Sequence, residues 1–280
     1  MESQPLTRET VPITVDGVDL SVSAMHRQGD RPPLVLLHGF GSTKEDYADL
    51  AQHPRFAGRR LIAYDAPGCG ATACGDLSRI SIPFLQRTAD ELLDRYGAER
   101  FHLAGHSMGG LTALLLADAL ADARADALGD RVLSLTSIEG NLAPEDCFLS
   151  RQILDHPADD PEAFFAAFQE RAWQTPAWSS PLFAASLAHK VRAEAVGPIF
   201  RSMVEISDGQ DLLTLFTALP CPKMFVHGDQ NGDLSYLGEL VQRGAQVAEI
   251  AQSGHWPMYA NPPALWVRLA DFIDQADTHD

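Results

Sequence analysis

The short sequence with the clearest chemical meaning in this chain is Gly-x-Ser-x-Gly at 105–109, with Ser107 at its centre. It follows a short apolar run at 101–104 and precedes an apolar, Ala-rich stretch that is typical of a helix. Small residues on both sides of the serine permit a turn so tight that the hydroxyl stands above a sheet at the amino end of a helix. A serine so placed is a nucleophile for a carbonyl carbon. A Gly-rich turn alone would be structural, and the strand-turn-helix context favours the nucleophile.

A serine hydroxyl needs a base to take its proton, and His255 is the histidine best placed for that role. It lies in Ser-Gly-His-Trp-Pro at 253–257, between the last predicted strand and the final predicted helix, where its ring can reach back over the sheet. The chain has ten histidines. Among the others, His102 lies within a predicted strand and His106 adjoins the serine, and we interpret both as packing or hydrogen-bonding residues.

Eight short apolar runs predict the strands that must position these residues. They lie at 11–15, 20–24, 34–37, 61–64, 101–104, 132–138, 224–226 and 246–250. Most of the later runs are separated by stretches long enough for a helix, such as 81–96 and 265–273. This alternation predicts an α/β fold with a mostly parallel, eight-stranded sheet, helices on both of its faces, and an antiparallel hairpin at 11–24.

About eighty residues separate the sixth predicted strand from the seventh, far more than one crossover helix needs. This stretch is rich in large apolar side chains, namely Phe148, Phe164, Phe165, Phe168, Trp173, Trp178, Phe183 and Phe200. We therefore predict a helical cap or lid at 142–218, inserted into a core formed by 1–141 and 219–280. It should cover the carboxyl edge of the sheet, where open α/β sheets bind ligands.

Four sequence motifs together resemble those of the α/β-hydrolase superfamily, and they span nearly the whole chain. They are Leu-His-Gly-Phe-Gly at 37–41, Asp-Ala-Pro-Gly-Cys-Gly at 65–70, the serine turn at 105–109 and Ser-Gly-His at 253–255. The resemblance implies an α/β-hydrolase fold and an activity like that of serine esterases or lactonases. It also implies two backbone N–H donors for the negative oxygen that forms when Ser107 attacks, and these carry over to Phe40 and Met108.

A pocket above the sheet should bind the substrate. Its predicted lining residues are His38, Gly39, Phe40, Trp173, Trp178, Trp256 and Met258. The aromatic side chains favour a largely apolar small molecule. The segment 140–218 carries 11 acidic and 5 basic residues, which favours a neutral or weakly cationic ester over a polyanion such as a coenzyme A thioester.

The acid of the expected catalytic triad departs from the commonest family pattern. The family usually places an aspartate three residues after the glycine that ends the penultimate strand, and Asn231 occupies that position. Glu139 directly follows the predicted strand at 132–138, whose apolar members are Val132, Leu133, Leu135 and Ile138. It is the preferred candidate, because a protonated His255 would partner its buried carboxylate. Asp233 and Asp229 remain open as alternative acids. A surface or turn-forming role is the structural alternative for Glu139.

The serine at the centre of the turn narrows the reaction that the resemblance implies. Haloalkane dehalogenases and epoxide hydrolases of the superfamily use aspartate there, and dienelactone hydrolases use cysteine. The expected reaction is hydrolysis of an ester, lactone or thioester through an acyl-enzyme at Ser107, with His255 as the base. Perhydrolase or haloperoxidase, carbon–carbon hydrolase and lyase chemistry on the same triad remain open, as does a non-catalytic ligand-binding role.

The composition excludes several other classes. With 21 basic and 38 acidic residues, a net charge of -17 and only three lysines, the chain lacks the basic surface that nucleic acids or anionic membranes attract. No metal-ligand or nucleotide-binding motif is present in the sequence, so we expect no metal and no other cofactor. We predict a cytoplasmic protein with free thiols, because the start is polar, no long apolar run is present, and the four cysteines show neither metal-ligand spacing nor a dense disulfide framework. The oligomeric state stays open.

Overall fold

The structure is a computed structural model that describes residues 5–122, 131–156, 160–174 and 181–278. Its strands are β1 Thr7–Val15, β2 Val18–Arg27, β3 Arg31–Leu37, β4 Arg59–Tyr64, β5 Ala73–Cys74, β6 Phe101–His106, β7 Val132–Ile138, β8 Lys223–Gly228 and β9 Gln246–Ile250. They form one sheet in the order β1-β2-β4-β3-β6-β7-β8-β9, and β5 pairs beside β2.

The helices fill most of the connections between the strands. The α-helices are α1 Ala48–Gln52, α2 Ile82–Arg95, α3 Met108–Asp122, α4 Pro161–Gln174, α5 Pro181–Lys190, α6 Ala193–Gly209, α7 Leu212–Ala218, α8 Leu237–Gln242, α9 Pro257–Ala260 and α10 Pro262–Asp277. Short 3₁₀ helices lie at Lys44–Tyr47, Pro54–Phe56, Leu77–Arg79, Pro144–Cys147, Ser150–Asp155 and Asp229–Asn231. Within the described ranges, no helix combines the length and the apolar character needed to cross a bilayer.

The strand directions confirm the predicted fold class. β1 pairs antiparallel with β2, and β2 pairs antiparallel with β4, whereas the neighbours from β4 onward are all parallel. All eight predicted strands are present, with ends that extend beyond the predicted bounds in most cases. The additional strand β5 has two residues, too few for its pattern to be recognised in a sequence.

Helices cover both faces of the sheet, as the strand β6 demonstrates. All six residues of β6 are buried. Side chains three positions apart in a strand point to opposite faces. Gly105 packs on Gly109 of α3, while His102 on the other face bonds to Asp277 of α10. The helices α3 and α10 therefore lie on opposite sides of the same strand, and the prediction of helices on both faces is confirmed.

The carboxyl ends of the central strands meet in register. His106, the last residue of β6, pairs with Ile138, the last residue of β7, and Ile138 pairs with Val226 of β8. Ser107 and Glu139 follow these paired residues directly. The register thus places the two side chains at adjacent positions on one edge of the sheet.

The segment between β7 and β8 is helical and packs on loops at this same edge. Phe40, in the loop after β3, contacts Phe200 of α6 and Phe168 of α4, with ring centroids 4.5 and 5.9 Å away. Phe183 of α5 stacks on Trp256 at 4.1 Å. The helical content of the segment agrees with the sequence analysis, and the division of the chain into core and cap stays a prediction.

A buried histidine joins the opposite edge of the sheet to the final helix. The ring of His102 bonds through Nδ1 to Ser134 Oγ and through Nε2 to Asp277 Oδ1, both at 2.9 Å. Burial, reinforced by the nearby positive charge of Arg59, lowers the pKa of His102 to about 4. The imidazole is therefore neutral at neutral pH, in agreement with its interpretation as a hydrogen-bonding residue.

His102 should make the fold sensitive to mild acid. The unfolded histidine takes up a proton near pH 6.5 and the folded one only near pH 4, so the unfolded state binds more protons in between. This group should lower the free energy of unfolding by about 2 kcal/mol between pH 7 and pH 5. Urea unfolding at both pH values should show a smaller loss for His102→Gln than for the wild type. The control is His189→Gln, at an exposed histidine of α5, which should keep the wild-type loss; equal losses in all three proteins would contradict the assignment.

Candidate active site

Ser107 occupies a strained turn between β6 and α3. Its φ is +49°, in the left-handed region that side chains other than glycine rarely adopt. The glycines on either side explain how the turn is held. A methyl group at Gly109 would overlap the carbonyl oxygen of Leu37, and one at Gly105 would overlap the carbonyl oxygen of Gly109. The close packing of these backbones keeps the serine in its strained conformation and directs its hydroxyl over the edge of the sheet.

His255 reaches the serine from the loop that follows β9. Its Nε2 lies 3.0 Å from Ser107 Oγ, and both residues are buried, with 4% and 8% of their surface exposed. Asp229 fastens the loop by accepting the N–H groups of Gln252 and Ser253 at 2.8 and 3.0 Å. These two bonds lower the pKa of Asp229, so its carboxylate is ionised and is committed to the loop backbone.

Glu139 lies on the far side of the His255 ring. Its Oε2 is 3.3 Å from His255 Nδ1, so that the three side chains form one hydrogen-bonded chain with Ser107 at its end. The carboxylate is buried, and it accepts further bonds from Gly228 N to Oε1 and from Asn231 Nδ2 to Oε2, both at 2.7 Å. Such partners are what an ionised carboxylate needs away from water.

The two alternative acids lie elsewhere. Asp229 and Asp233 are exposed, and the hydrogen bonds of the described residues include none from either carboxylate to His255. Glu139 also has a φ of +49°, the same value as Ser107. Backbone strain of this kind persists only where the surrounding structure holds it, and it is concentrated at functional sites. The structure thus brings Glu139, and neither aspartate, to the imidazole.

The two predicted oxyanion donors belong to segments that touch the serine turn. Met108 is the first residue of α3, where an N–H group has no acceptor within the helix. Phe40 follows Gly39, which packs so closely on the His106 ring that a methyl group there would overlap Nδ1. Among the described residues, no hydrogen bond engages the N–H of Phe40. The role of both N–H groups as oxyanion donors stays a prediction.

The ring of His106 contacts the backbone of His255, the proposed base. Its Nε2 lies 2.7 Å from the carbonyl oxygen of His255, and the two rings are 5.0 Å apart. Burial, and then the charge of a protonated His255, lower the pKa of His106 well below its usual range. The ring is therefore neutral and donates its Nε2–H to that carbonyl. Sequence analysis identifies His106 only as a packing or hydrogen-bonding residue, because no local pattern indicates its remote acceptor.

The residues predicted to line the pocket lie in different environments in the structure. His38 is buried, and both of its ring nitrogens have hydrogen-bond partners in the backbone. Its Nε2 accepts the N–H of Ala66 at 2.9 Å, and its Nδ1 lies 2.8 Å from Gly39 O. It fastens the loop that carries Phe40. Trp256 contacts the His255 ring edge-to-face at 4.9 Å. Met258 is buried in α9. Trp173 is 54% exposed on α4, so it is a surface residue in this structure, and Trp178 lies outside the described residues.

Phe148 is a site neighbour that the sequence did not single out. Its ring meets the His255 ring edge-to-face at 5.1 Å, and 39% of its surface is exposed. In the sequence it was one of several aromatic residues in the helical insertion. The position of Phe148 in the sequence does not indicate a contact with His255, which lies more than one hundred residues further along the chain.

The strain at Ser107 yields a stability test. Ser107→Gly removes the Cβ that disfavours a positive φ, whereas Ser107→Ala removes only the hydroxyl. The glycine variant should have a free energy of unfolding about 1 kcal/mol higher than the alanine variant. Urea unfolding followed by circular dichroism measures the difference. An alanine variant as stable as the glycine variant would show that the turn holds no such strain.

The chain matches the sequence model of the alpha/beta hydrolase family over residues 34–269. Two curated relatives match over shorter stretches. The dihydrolipoyllysine-residue acetyltransferase component of the acetoin cleaving system of Pseudomonas putida is 45% identical over 86 residues, which cover 30% of this chain and 22% of that protein. An sn-1-specific diacylglycerol lipase of Xenopus tropicalis is 33% identical over 101 residues, which cover 36% of this chain and 31% of that protein. The match thus spans less than a third of either relative.

Solved structures resemble the chain over nearly its full length. A carboxylesterase structure from Nitrososphaera gargenis aligns with a TM-score of 0.78 at 16% identity, covering 96% of this chain and 100% of that one. Identity this low carries information on the fold alone. The structural similarity therefore agrees with the sheet order and the helices described above.

Proposed function

Because the chain belongs to the alpha/beta hydrolase family, we propose that it is a serine hydrolase that cleaves a carboxylic ester or lactone of a largely apolar, neutral small molecule. The observation that carries the proposal is the buried chain of hydrogen bonds from Ser107 through His255 to Glu139. A hydroxyl, an imidazole and a carboxylate in this order are the parts that serine acyl transfer requires.

The first half of the reaction forms an acyl-enzyme. His255 Nε2 takes the proton of Ser107 Oγ while the oxygen attacks the substrate carbonyl, and the carbonyl oxygen becomes negative. The N–H groups of Phe40 and Met108 donate to this oxygen, and each such donor is worth about 3 kcal/mol of barrier. The imidazolium then gives its proton to the alcohol oxygen as the bond between that oxygen and the acyl carbon breaks.

The second half releases the acid. His255 takes a proton from water, whose oxygen attacks the acyl carbon, and then returns the proton to Ser107 Oγ as the ester bond to the enzyme breaks. In both halves Glu139 accepts Nδ1–H of the ring, which fixes the tautomer that leaves Nε2 free and stabilises the positive ring. Ser107, His255 and Glu139 therefore end the cycle in the protonation states in which they began it.

The surroundings of His255 support an apolar alcohol portion. The imidazole protonates the leaving oxygen, so the leaving group must come close to that ring. Phe148 provides a partly exposed apolar surface in direct contact with it. The segment 140–218 carries more acidic than basic residues, and its negative charge would repel a polyanion. This repulsion supports a neutral substrate.

The proposal is tested with neutral p-nitrophenyl esters and lactones of graded size. The wild type should hydrolyse some of them, and Ser107→Ala should lower kcat at least about 1000-fold. A fluorophosphonate should label Ser107. A non-catalytic binding protein would show neither serine-dependent turnover nor labelling. Faster turnover of an acyl coenzyme A than of the matching neutral ester would contradict the proposed substrate class.

The identity of the acid has its own test. Glu139→Gln keeps the size of the side chain and removes its charge, so kcat should fall about 100-fold or more, because the imidazolium loses its partner. Asp233→Asn is the matched control, because it makes the same change of acid to amide at an exposed alternative acid, and it should keep kcat within about twofold. A larger loss for Asp233→Asn than for Glu139→Gln would transfer the role to Asp233.

A further inference from the structure

Asn231 lies where an aspartate was expected, and it makes a bond that the sequence did not predict. Its Nδ2 lies 2.7 Å from Glu139 Oε2, the same carboxylate oxygen that faces His255 Nδ1 at 3.3 Å. The amide nitrogen and the ring nitrogen are therefore both neighbours of one oxygen atom. Asn231 contacts the proposed acid, and it is partly buried beside it.

Glu139 needs external contacts to keep this oxygen directed at the ring. A glutamate side chain has three rotatable bonds, and the ordering of such a chain is unfavourable in entropy. Gly228 N holds Oε1 at 2.7 Å, which fixes one end of the carboxylate. A single contact leaves the carboxylate free to rotate about that contact. The bond from Asn231 to Oε2 is the second fixed point, and it determines which way the plane of the carboxylate faces.

The turn that carries Asn231 is itself tied to the loop of the base. Asp229 accepts two N–H groups of the His255 loop, and Gln230 N donates to Ser253 O at 3.1 Å. The three residues of the Asp229–Asn231 turn thus hold the loop of the base at one end and the carboxylate of Glu139 at the other. This turn fixes the distance between Glu139 and His255.

The amide at 231 also agrees with the charge at 139. An aspartate at 231 would place a second, partly buried carboxylate at hydrogen-bonding distance from the first, and the repulsion between the two would disfavour the ionisation of both. An asparagine of the same shape instead donates an N–H hydrogen bond to Oε2. The glutamate at 139 and the asparagine at 231 are thus two halves of one arrangement, in which a single negative charge faces the imidazole.

We propose that Asn231 is a positioning residue for catalysis, which acts by orienting the carboxylate of Glu139 toward His255. The proposal rests on the proposed serine hydrolase function. Its specific consequence is that Asn231 affects the rate of the chemical steps and not the binding of substrate, and that it acts only through Glu139.

The test compares kcat and KM for a neutral p-nitrophenyl ester. Asn231→Ala removes the donor, and Asn231→Leu removes it while retaining the volume of the side chain. Both variants should lower kcat about 10-fold, as expected for a misoriented catalytic group, with KM within about twofold of the wild type. Gln242→Ala is the control, because it removes an exposed side-chain amide at the end of α8, outside the Asp229–Asn231 turn, and it should leave both constants unchanged. Thermal unfolding of each variant verifies that the fold is intact.

A double-mutant cycle with Glu139→Gln separates positioning from a general structural effect. If Asn231 acts through the carboxylate, adding Asn231→Ala to Glu139→Gln should lower kcat no further. A further 10-fold loss in that background would overturn the proposal, as would single Asn231 variants that retain wild-type kcat while Glu139→Gln loses activity. In those two cases the serine hydrolase function would stand. Turnover that survives Ser107→Ala would overturn both.

Discussion

The burial of the Glu139 carboxylate is the constraint on which the geometry of this site depends. A charged group away from water must be surrounded by donors, and here the donors come from three different segments. They are the end of β8 at Gly228, the turn at Asn231 and the loop at His255. Since one carboxylate binds all three, a displacement of any of these segments would remove a donor from a buried charge, and this cost favours the observed position of the imidazole.

Two strained turns at adjacent strand ends support this arrangement. Ser107 and Glu139 have the same positive φ, and each follows one of the paired residues that end β6 and β7. The turns also pack on each other, since a methyl group added at Gly140 would approach the backbone of Gly110. Small residues therefore allow two strained residues to sit side by side. The packing keeps both in conformations that neither would adopt alone.

The helical segment between β7 and β8 is coupled to the site through aromatic contacts. Phe168 and Phe200 pack on Phe40, the proposed oxyanion donor, and Phe183 stacks on Trp256 beside the proposed base. The same helices that would enclose a substrate thus contact the loops that would act on it. Any displacement of these helices would disturb the positions of those two loops, because close-packed rings transmit small shifts.

The sequence by itself predicted the eight longer strands and singled out Ser107 and His255, because apolar periodicity and tight-turn motifs are local properties of the chain. It did not predict the two-residue strand β5. It left three carboxylates open as the acid and attached no role to the amide of Asn231. Only the tertiary structure brought Glu139 to the imidazole, left Asp233 exposed and committed Asp229 to the backbone of the His255 loop. These contacts join residues about ninety or more positions apart or depend on the course of a loop. They follow from the registers of β7 with β8 and of β8 with β9, which no local pattern encodes.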